Sequence, residues 1–368
     1  MPPIRLLVPG NIHHHSGGNA YNARMVQGLQ GLGADVEVLA VEGSWPEASA
    51  KDRRRLGTLL GAWEPEAGRG PAVVIVDGLV AVGAPDEMEF AAKAGRETWV
   101  LLHMTVPDGP GGPAWKREAR ALRAASGLIS TSSSTAATLT QRHGLHGIRV
   151  ALPGVDPAPV ASGSRPPHMI AVAALLPNKD QLLTVDALSR IQDLEWTAAL
   201  VGSDQADPAY AGKVRAAIAA YGLEERVRLT GELVGEELDR EWDAANLSLL
   251  PSRAEAFGMV VTESLARGLP VVVRQGTGAV EALELAGLAD DDGGPRLPGV
   301  AVPLVPGDRE GPARLAEVLR GWLGDPDIRQ AWRRAAMEAR TRLPDWNRTA
   351  ETVLEALATP GPKGTSAR

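Results

Sequence analysis

The chain has 368 residues, 44% hydrophobic and 23% charged, with a formal net charge of −7, which suits a soluble globular protein of about two domains. The acidic balance excludes nucleic acid as a main partner, because phosphate binding needs a dominant basic footprint. The absence of cysteine excludes disulfides, thiolate nucleophiles and zinc–thiolate sites, and it fits a cytoplasmic location.

The first ten residues lack the charged and long apolar regions of a secretory signal. No apolar run approaches the roughly 18 residues of a membrane span. Short β-branched or apolar runs alternate with helical patterns. Residues 4–8 read as a strand and 19–32 as a helix, with Ala20, Ala23, Met25, Val26, Leu29 and Leu32 at near-helical spacing. His13, His14 and His15 fall between the two and read as native residues rather than a tag remnant. Further strands are expected over 35–41, 72–76, 99–103, 127–131 and 148–152. Residues 153–167, rich in Pro, Gly, Ser and Ala, read as an interdomain linker. The alternation resumes with strands over 169–174, 197–201, 226–229, 247–250 and 271–274, and helices over 313–323, 329–340 and 346–357.

Such alternation predicts βα units and parallel sheets. The expected fold is α/β, with two Rossmann-like doubly wound domains over 1–155 and 156–345. A last helix spans 346–358, and a Pro/Gly/Ser-rich tail over 359–368 is expected to be disordered. In doubly wound sheets ligands sit beyond the carboxyl ends of the strands, at the switch point. Two such domains facing each other put the expected site in a central cleft.

Two segments carry chemistry. Ser16-Gly17-Gly18-Asn19 lies between the first strand and its helix, where a helix N-terminus offers N–H groups to an anion; a plain βα turn is the alternative. Residues 251–268 read Pro-Ser-Arg-Ala-Glu-Ala-Phe-Gly-Met-Val-Val-Thr-Glu-Ser-Leu-Ala-Arg-Gly. A strand enters, Glu255 lies on the loop, Gly258 opens a helix, and Glu263 projects from it a turn further on. Loop and helix thus offer a carboxylate, an anion nest and a second carboxylate in a row. The alternative is a glutamate answering the helix dipole and another on a solvated face.

Glu255 and Glu263, seven residues apart with Phe257-Gly258 between them, resemble the E-x7-E motif of the family 4 retaining glycosyltransferases of GT-B fold. Other blocks follow in that family's order. Val150-Ala-Leu-Pro-Gly154-Val-Asp156 is similar to its domain-junction block, and Leu200-Val201-Gly202 to a strand end. Val227-Arg-Leu-Thr-Gly231 and Gly278-Ala-Val-Glu281 match two later blocks, and Trp346 matches the tryptophan before the helix that crosses back to the N-terminal domain. The resemblance covers residues 4 to about 357.

The resemblance implies a retaining transfer from a nucleoside diphosphate sugar to an acceptor hydroxyl, with no metal and no other cofactor. Glu263 would bind the ribose hydroxyls, a task suited to a two-oxygen acceptor. Glu255 would contact the donor sugar. Phe257 belongs to the same donor-binding loop, and Gly258, Met259 and Val260 would present backbone N–H groups. Gly231 and Leu233 would line the base pocket, with Gly202 at a neighbouring strand end. Gly17 and Gly18 would approach the diphosphate. Lys179 would neutralise the leaving diphosphate, the work a metal does elsewhere, and His103 would touch the donor sugar at the reacting centre. A lone histidine at a strand end is otherwise more often structural.

The sequence departs from the family at Ala174, where an arginine is expected ahead of the lysine, and has Lys179-Asp180 where the family has Lys-Gly. Arg253 and Arg274 are the candidate replacements for the missing cation. The acceptor, a small soluble molecule or a glycan, is expected on the N-terminal domain near His14, His15, Asn19, Asp77 and Thr105. Residues 51–63, basic and then apolar, could dock on anionic lipid; a surface helix with a solvated basic end is the alternative that the overall acidity favours. Rival readings are another GT-B enzyme of the disaccharide synthase or phosphorylase type, and a non-catalytic nucleotide-sugar binding protein. A dehydrogenase is disfavoured because the glycine fingerprint G-x-G-x-x-G is missing.

Overall fold

The structure, a computed structural model, describes residues 2–11, 16–63, 72–107, 111–285, 287–289 and 295–359. It divides into two compact units, Met1–Gly154 with Pro344–Arg368, and Val155–Leu343. His13–His15 and the tail from 360 onward lie outside the described residues.

The first unit alternates β1 (Ile4–Pro9), α1 (Gly17–Gly31), β2 (Val36–Val41), α2 (Ala50–Leu59), β3 (Val73–Asp77), α3 (Gly78–Gly83), α4 (Pro85–Lys93), β4 (Thr98–Leu102), α5 (Pro113–Ala124), β5 (Gly127–Ser130), α6 (Ser133–His143) and β6 (Arg149–Val150). The sheet order is β2-β1-β3-β4-β5-β6, and every pair is parallel. Strands β3 and β4 are buried along their whole length, so they read as unbroken apolar runs, the mark of a parallel sheet covered on both faces. Chain order reverses between β1 and β3. The loops after those strands therefore leave in opposite directions and open a crevice at their carboxyl ends.

The second unit contains β7 (His168–Val172), α7 (Gln181–Ser189), β8 (Thr197–Val201), α8 (Pro208–Ala220), β9 (Val227–Gly231), α9 (Glu236–Ala244), β10 (Leu247–Leu250), α10 (Met259–Ala266), β11 (Val271–Arg274) and α11 (Gly278–Leu285). A small antiparallel pair, β12 (Leu288–Ala289) and β13 (Pro295–Arg296), precedes β14 (Gly299–Val302), α12 (Gly311–Gly324) and α13 (Pro326–Ala339). The six-stranded sheet runs β14-β11-β10-β7-β8-β9, again all parallel. Its switch point lies between β7 and β10, which pair only through Leu247↔Met169 and Ser248↔Ile170. The final helix, α14 (Trp346–Ala358), belongs to the first unit, where Asp345 caps it by accepting from the Arg348 N–H and Thr349 donates to the Leu152 carbonyl at 2.7 Å.

Two doubly wound parallel sheets are thus what the chain forms, with two adjustments. Strand β14 was not anticipated, because its four residues sit among glycines and prolines. The stretch 153–167 has no regular structure, yet from Val155 on it is packed rather than loose. Val155, Ala158 and Ala161 are buried, and the Ala158 and Ala161 carbonyls accept from Arg340 and Arg333 at 2.6 Å each. Leu56 and Leu60 of the basic helix region are buried in the first unit's core, so these two leucines face inward rather than outward. Among the described residues no helix is long and apolar enough to cross a membrane.

Candidate active site

In the second unit, the loops leaving β7 and β10 are the pair that a switch point brings together, and they carry the expected carboxylates and lysine. After β7 the chain makes a short turn, Pro177–Lys179, and Asp180 follows in the left-handed region at φ 56° before α7 begins. After β10 it runs through Pro251–Gly258 into α10. The two loops are joined by the Arg253 N–H donating to the Asn178 carbonyl at 2.7 Å. Lys179 Nζ donates to Glu255 Oε1 at 2.6 Å, an ion pair with both side chains largely buried.

Gly258 is the N-cap of α10, with φ 84° and no side-chain cap hydrogen bond, so the first N–H groups of the helix are not answered by a capping side chain. Glu263 sits in its second turn. Burial pushes its carboxyl above the usual glutamate range, Arg267 pulls it down and Asp156 pushes it up. Among the described residues its carboxyl oxygens have no hydrogen-bond partner. The Phe257 ring is buried, at 3% exposure, leaving main chain as what that residue offers a ligand. Leu233 is half-buried against the cluster that includes Trp242 and Val260. Gly202 and Gly231 mark the ends of β8 and β9, joined by the Gly202 N–H donating to the Gly231 carbonyl at 2.9 Å.

The loop bearing Glu255 is seated on α11. The Gly278 N–H donates to the Glu255 carbonyl at 2.8 Å, and a Cβ on Gly278 would stand 1.8 Å from the Ala256 carbonyl oxygen. No backbone tolerates that approach, so the loop must shift if the hydrogen is replaced. Gly278→Ala is expected to cost about 1–3 kcal/mol in stability, as overpacking does, and to lower turnover by moving Glu255. Thermal unfolding and steady-state rates measured on the same variant check this; an unshifted melting temperature would contradict it.

The missing cation has a specific outcome. Arg274 is 2% exposed and wholly engaged: Nε donates to the Pro251 carbonyl, Nη1 to the Leu304 carbonyl and Nη2 to Asp180 Oδ2. It serves the fold and is withdrawn as a ligand for phosphate. Arg253 instead gives one nitrogen to Asp180 Oδ1 at 2.8 Å and keeps a side chain 48% exposed.

In the first unit the expected residues gather around the carboxyl ends of β1, β3 and β4. Gly17 and Gly18 open α1, capped by Ser16, whose Oγ accepts from the Asn19 N–H at 3.2 Å. A Cβ on Gly18 would touch the His103 ring at 3.3 Å. His103 Nε2 lies 3.0 Å from Asn22 Oδ1 and 3.5 Å from Asp77 Oδ2, and Asn22 Nδ2 donates to Asp77 Oδ2 at 3.4 Å. That last bond fixes the amide with its oxygen toward the histidine, so Nε2 faces two acceptors and carries the proton. The Leu79 N–H holds Asp77 through Oδ1 at 2.9 Å. Tyr21 meets His103 edge-on at 5.3 Å and Trp346 at 5.6 Å between ring centroids, and its hydroxyl donates to the Ala151 carbonyl.

Sequence reading missed Asn22 and Tyr21, although both fall within one turn of Gly18 on α1, the spacing that puts side chains on one face. It also missed a buried clamp behind the loop that follows β4. Glu118, 1% exposed, accepts from the Val106 N–H, Arg142 and His143, while Arg142 reaches the Val106 carbonyl and Thr105 Oγ1. Thr105 is therefore tied to the protein through its hydroxyl. Asn19 lies in the first turn of α1, and His14 and His15 lie outside the described residues.

Comparison with known proteins bears on the fold and on the second unit. The family described as Glycosyl transferases group 1 matches residues 156–293. D-inositol 3-phosphate glycosyltransferase 1 of Catenulispora acidiphila is 32% identical over 256 residues, which are 63% of this chain and 57% of that protein. Mannosylfructose-phosphate synthase of Agrobacterium fabrum is 32% identical over 111 residues, 28% of this chain and 24% of that one. The chain thus spans less than two thirds of the length of these curated relatives. Among solved structures, sucrose-phosphate synthase from Thermosynechococcus elongatus superposes with a TM-score of 0.75 at 19% identity, covering 97% of this chain and 98% of its own. Anabaena HepE in complex with UDP and glucose gives a TM-score of 0.70 at 18% identity, covering 97% and 100%. The chain has the GT-B fold, and its second unit is similar to the Glycosyl transferases group 1 family over residues 156–293.

Proposed function

We propose that the chain is a retaining glycosyltransferase that moves a glycosyl group from a nucleoside diphosphate sugar to an acceptor hydroxyl, without a metal. The observation that carries this reading is Glu263. Its carboxyl is half-buried and is pushed above the usual glutamate range by burial, and it stands beyond the switch point, where such sheets bind ligands. Ribose hydroxyls would satisfy it. The Lys179–Glu255 pair lies on the neighbouring loops and supplies a cation for the leaving diphosphate and a carboxylate for the sugar.

In the transfer, the bond from the anomeric carbon to the β-phosphate oxygen breaks and a bond to the acceptor oxygen forms on the same face. The acceptor proton passes to the departing phosphate oxygen. Lys179 and the N–H groups at the start of α10 meet the growing phosphate charge. His103, held in one tautomer by Asn22 and Asp77, serves the reacting sugar.

Uridine diphosphate is the first nucleotide to test, since HepE is described in complex with UDP, with UDP-glucose, and with UDP and glucose. The names of the relatives share a phosphorylated polyol or sugar, and we extend that acceptor class to this chain. Calorimetric titration with UDP, GDP, dTDP and ADP, with and without EDTA, tests the donor site. Release of the bound nucleotide from its sugar conjugate in the presence of inositol, glucose or fructose phosphates tests the transfer. Binding that EDTA abolishes would sink the metal-free mechanism; no binding by any nucleotide would sink the donor site.

A further inference from the structure

The charges around the two switch-point loops do not cancel evenly. Lys179 and Glu255 neutralise each other at 2.6 Å. Beside them a single buried carboxylate, Asp180, is shared by two guanidinium groups, Arg274 at 2.5 Å and Arg253 at 2.8 Å. One carboxylate between two arginines leaves a surplus positive charge. Arg274 is 2% exposed with all three nitrogens bonded inside the protein, so the surplus is presented by Arg253, whose side chain is 48% exposed and bonded through one nitrogen only.

The backbone shows that this arrangement is maintained at a cost. Asp180 is the one non-glycine residue with positive φ among the described residues. A side chain in the left-handed region is strained, and such strain persists where the surroundings over-determine it. Here the surroundings are the two arginines that the carboxylate gathers. The Arg253 N–H is in turn fixed to the Asn178 carbonyl, immediately before Lys179, and Glu255 follows two residues later. Arg253, Lys179 and Glu255 thus share one rigid loop junction.

We propose that Arg253 is the second cation of the donor site, meeting the diphosphate of the nucleotide sugar together with Lys179, and that Asp180 is the positioning residue that holds it there. This rests on the nucleotide-sugar reading given above. A diphosphate carries more charge than a lysine already paired with a glutamate can answer, and a guanidinium retains planar, paired donors suited to phosphate oxygens after one nitrogen is committed.

The test compares UDP with uridine, or GDP and ADP with guanosine and adenosine if one of those nucleotides binds more tightly, on the wild type, Arg253→Ala, Arg253→Lys and Glu263→Ala. Arg253→Ala is expected to weaken diphosphate binding about 10- to 100-fold, the range of a lost charge-assisted contact, with nucleoside binding unchanged. Arg253→Lys should recover part of the loss, and the salt dependence of binding should become shallower in the alanine variant. Arg253 is exposed and Asp180 keeps Arg274, so the variant should melt as the wild type does. Equal diphosphate affinity in wild type and Arg253→Ala would overturn the assignment alone. Equal losses for diphosphate and nucleoside would also overturn it, since they would mark a role in loop structure. A wild type that binds none of these nucleotides would bring down the donor site and Arg253 with it, whereas binding lost in Glu263→Ala upholds the site whatever Arg253 does.

Discussion

Replacing Lys179 by alanine is expected to lower kcat by roughly 10²–10³, the loss seen when one preorganised donor to a developing negative charge is removed. The expectation comes from where the charge appears. In the proposed transfer negative charge grows on the departing diphosphate as the glycosyl bond stretches, and Lys179 is the cation paired with Glu255. Its ion pair with Glu255 at 2.6 Å holds the ammonium in place before substrate arrives, so little reorganisation remains for the reaction itself. The ground-state diphosphate also attracts the lysine, but less than the transition state does. KM for the donor should therefore rise by less than kcat falls. Glu255→Gln separates positioning from charge: it keeps an oxygen acceptor while releasing the ammonium from its counter-ion. Steady-state nucleotide release at varied donor concentration reads both constants. A Lys179→Ala enzyme with full kcat and only a raised KM would show that the lysine contributes binding alone.

The strands were more legible in the sequence than the electrostatics around the switch-point loops. Alternating apolar runs and helical periods are local signals, so β8, β10 and β11 were legible to the residue. Lys179 and Glu255 follow β7 and β10, strands whose ends a parallel sheet brings to one edge, and Glu263 comes in the second turn of the helix after them. The fate of Arg274 was not legible. Nothing local distinguishes an arginine at the end of a strand that reaches outward from one that turns in to bind the Pro251 and Leu304 carbonyls and Asp180. The pairing spans 94 residues to Asp180, a separation that no window of sequence covers. The same holds for the Asn22–Asp77–His103 cluster, whose members come from three separate βα units. Strand β14 was lost for a different reason: a four-residue edge strand flanked by Gly and Pro gives too short an alternation to stand out.

Glu263 should reverse the usual link between losing a functional group and losing stability. In the free protein its carboxyl is raised by burial, so the folded state holds the proton to higher pH than the unfolded chain does. Between the two values the folded state binds more protons, and stability falls as pH rises through that window, staying lower above it. Glu263→Gln removes the charge while keeping the shape, and it is expected to raise the melting temperature at neutral pH by about 2–4 °C, which is what roughly 1 kcal/mol is worth in a domain of this size. The gain should vanish below about pH 4, where a glutamate is protonated in both states. The same substitution should weaken nucleotide binding by about 10- to 100-fold, because a charged acceptor of ribose hydroxyls becomes a neutral one. Wild-type affinity should rise with pH through the raised value and then level off, since the hydroxyls favour the ionised form. Scanning calorimetry and titration on the same two proteins at neutral and acidic pH measure all of this. A melting temperature that falls together with affinity would make Glu263 a structural residue. Stability gained with affinity intact would remove it from the nucleotide site. Only the opposed pair, firmer fold and weaker binding, fits a carboxylate kept desolvated for a ligand.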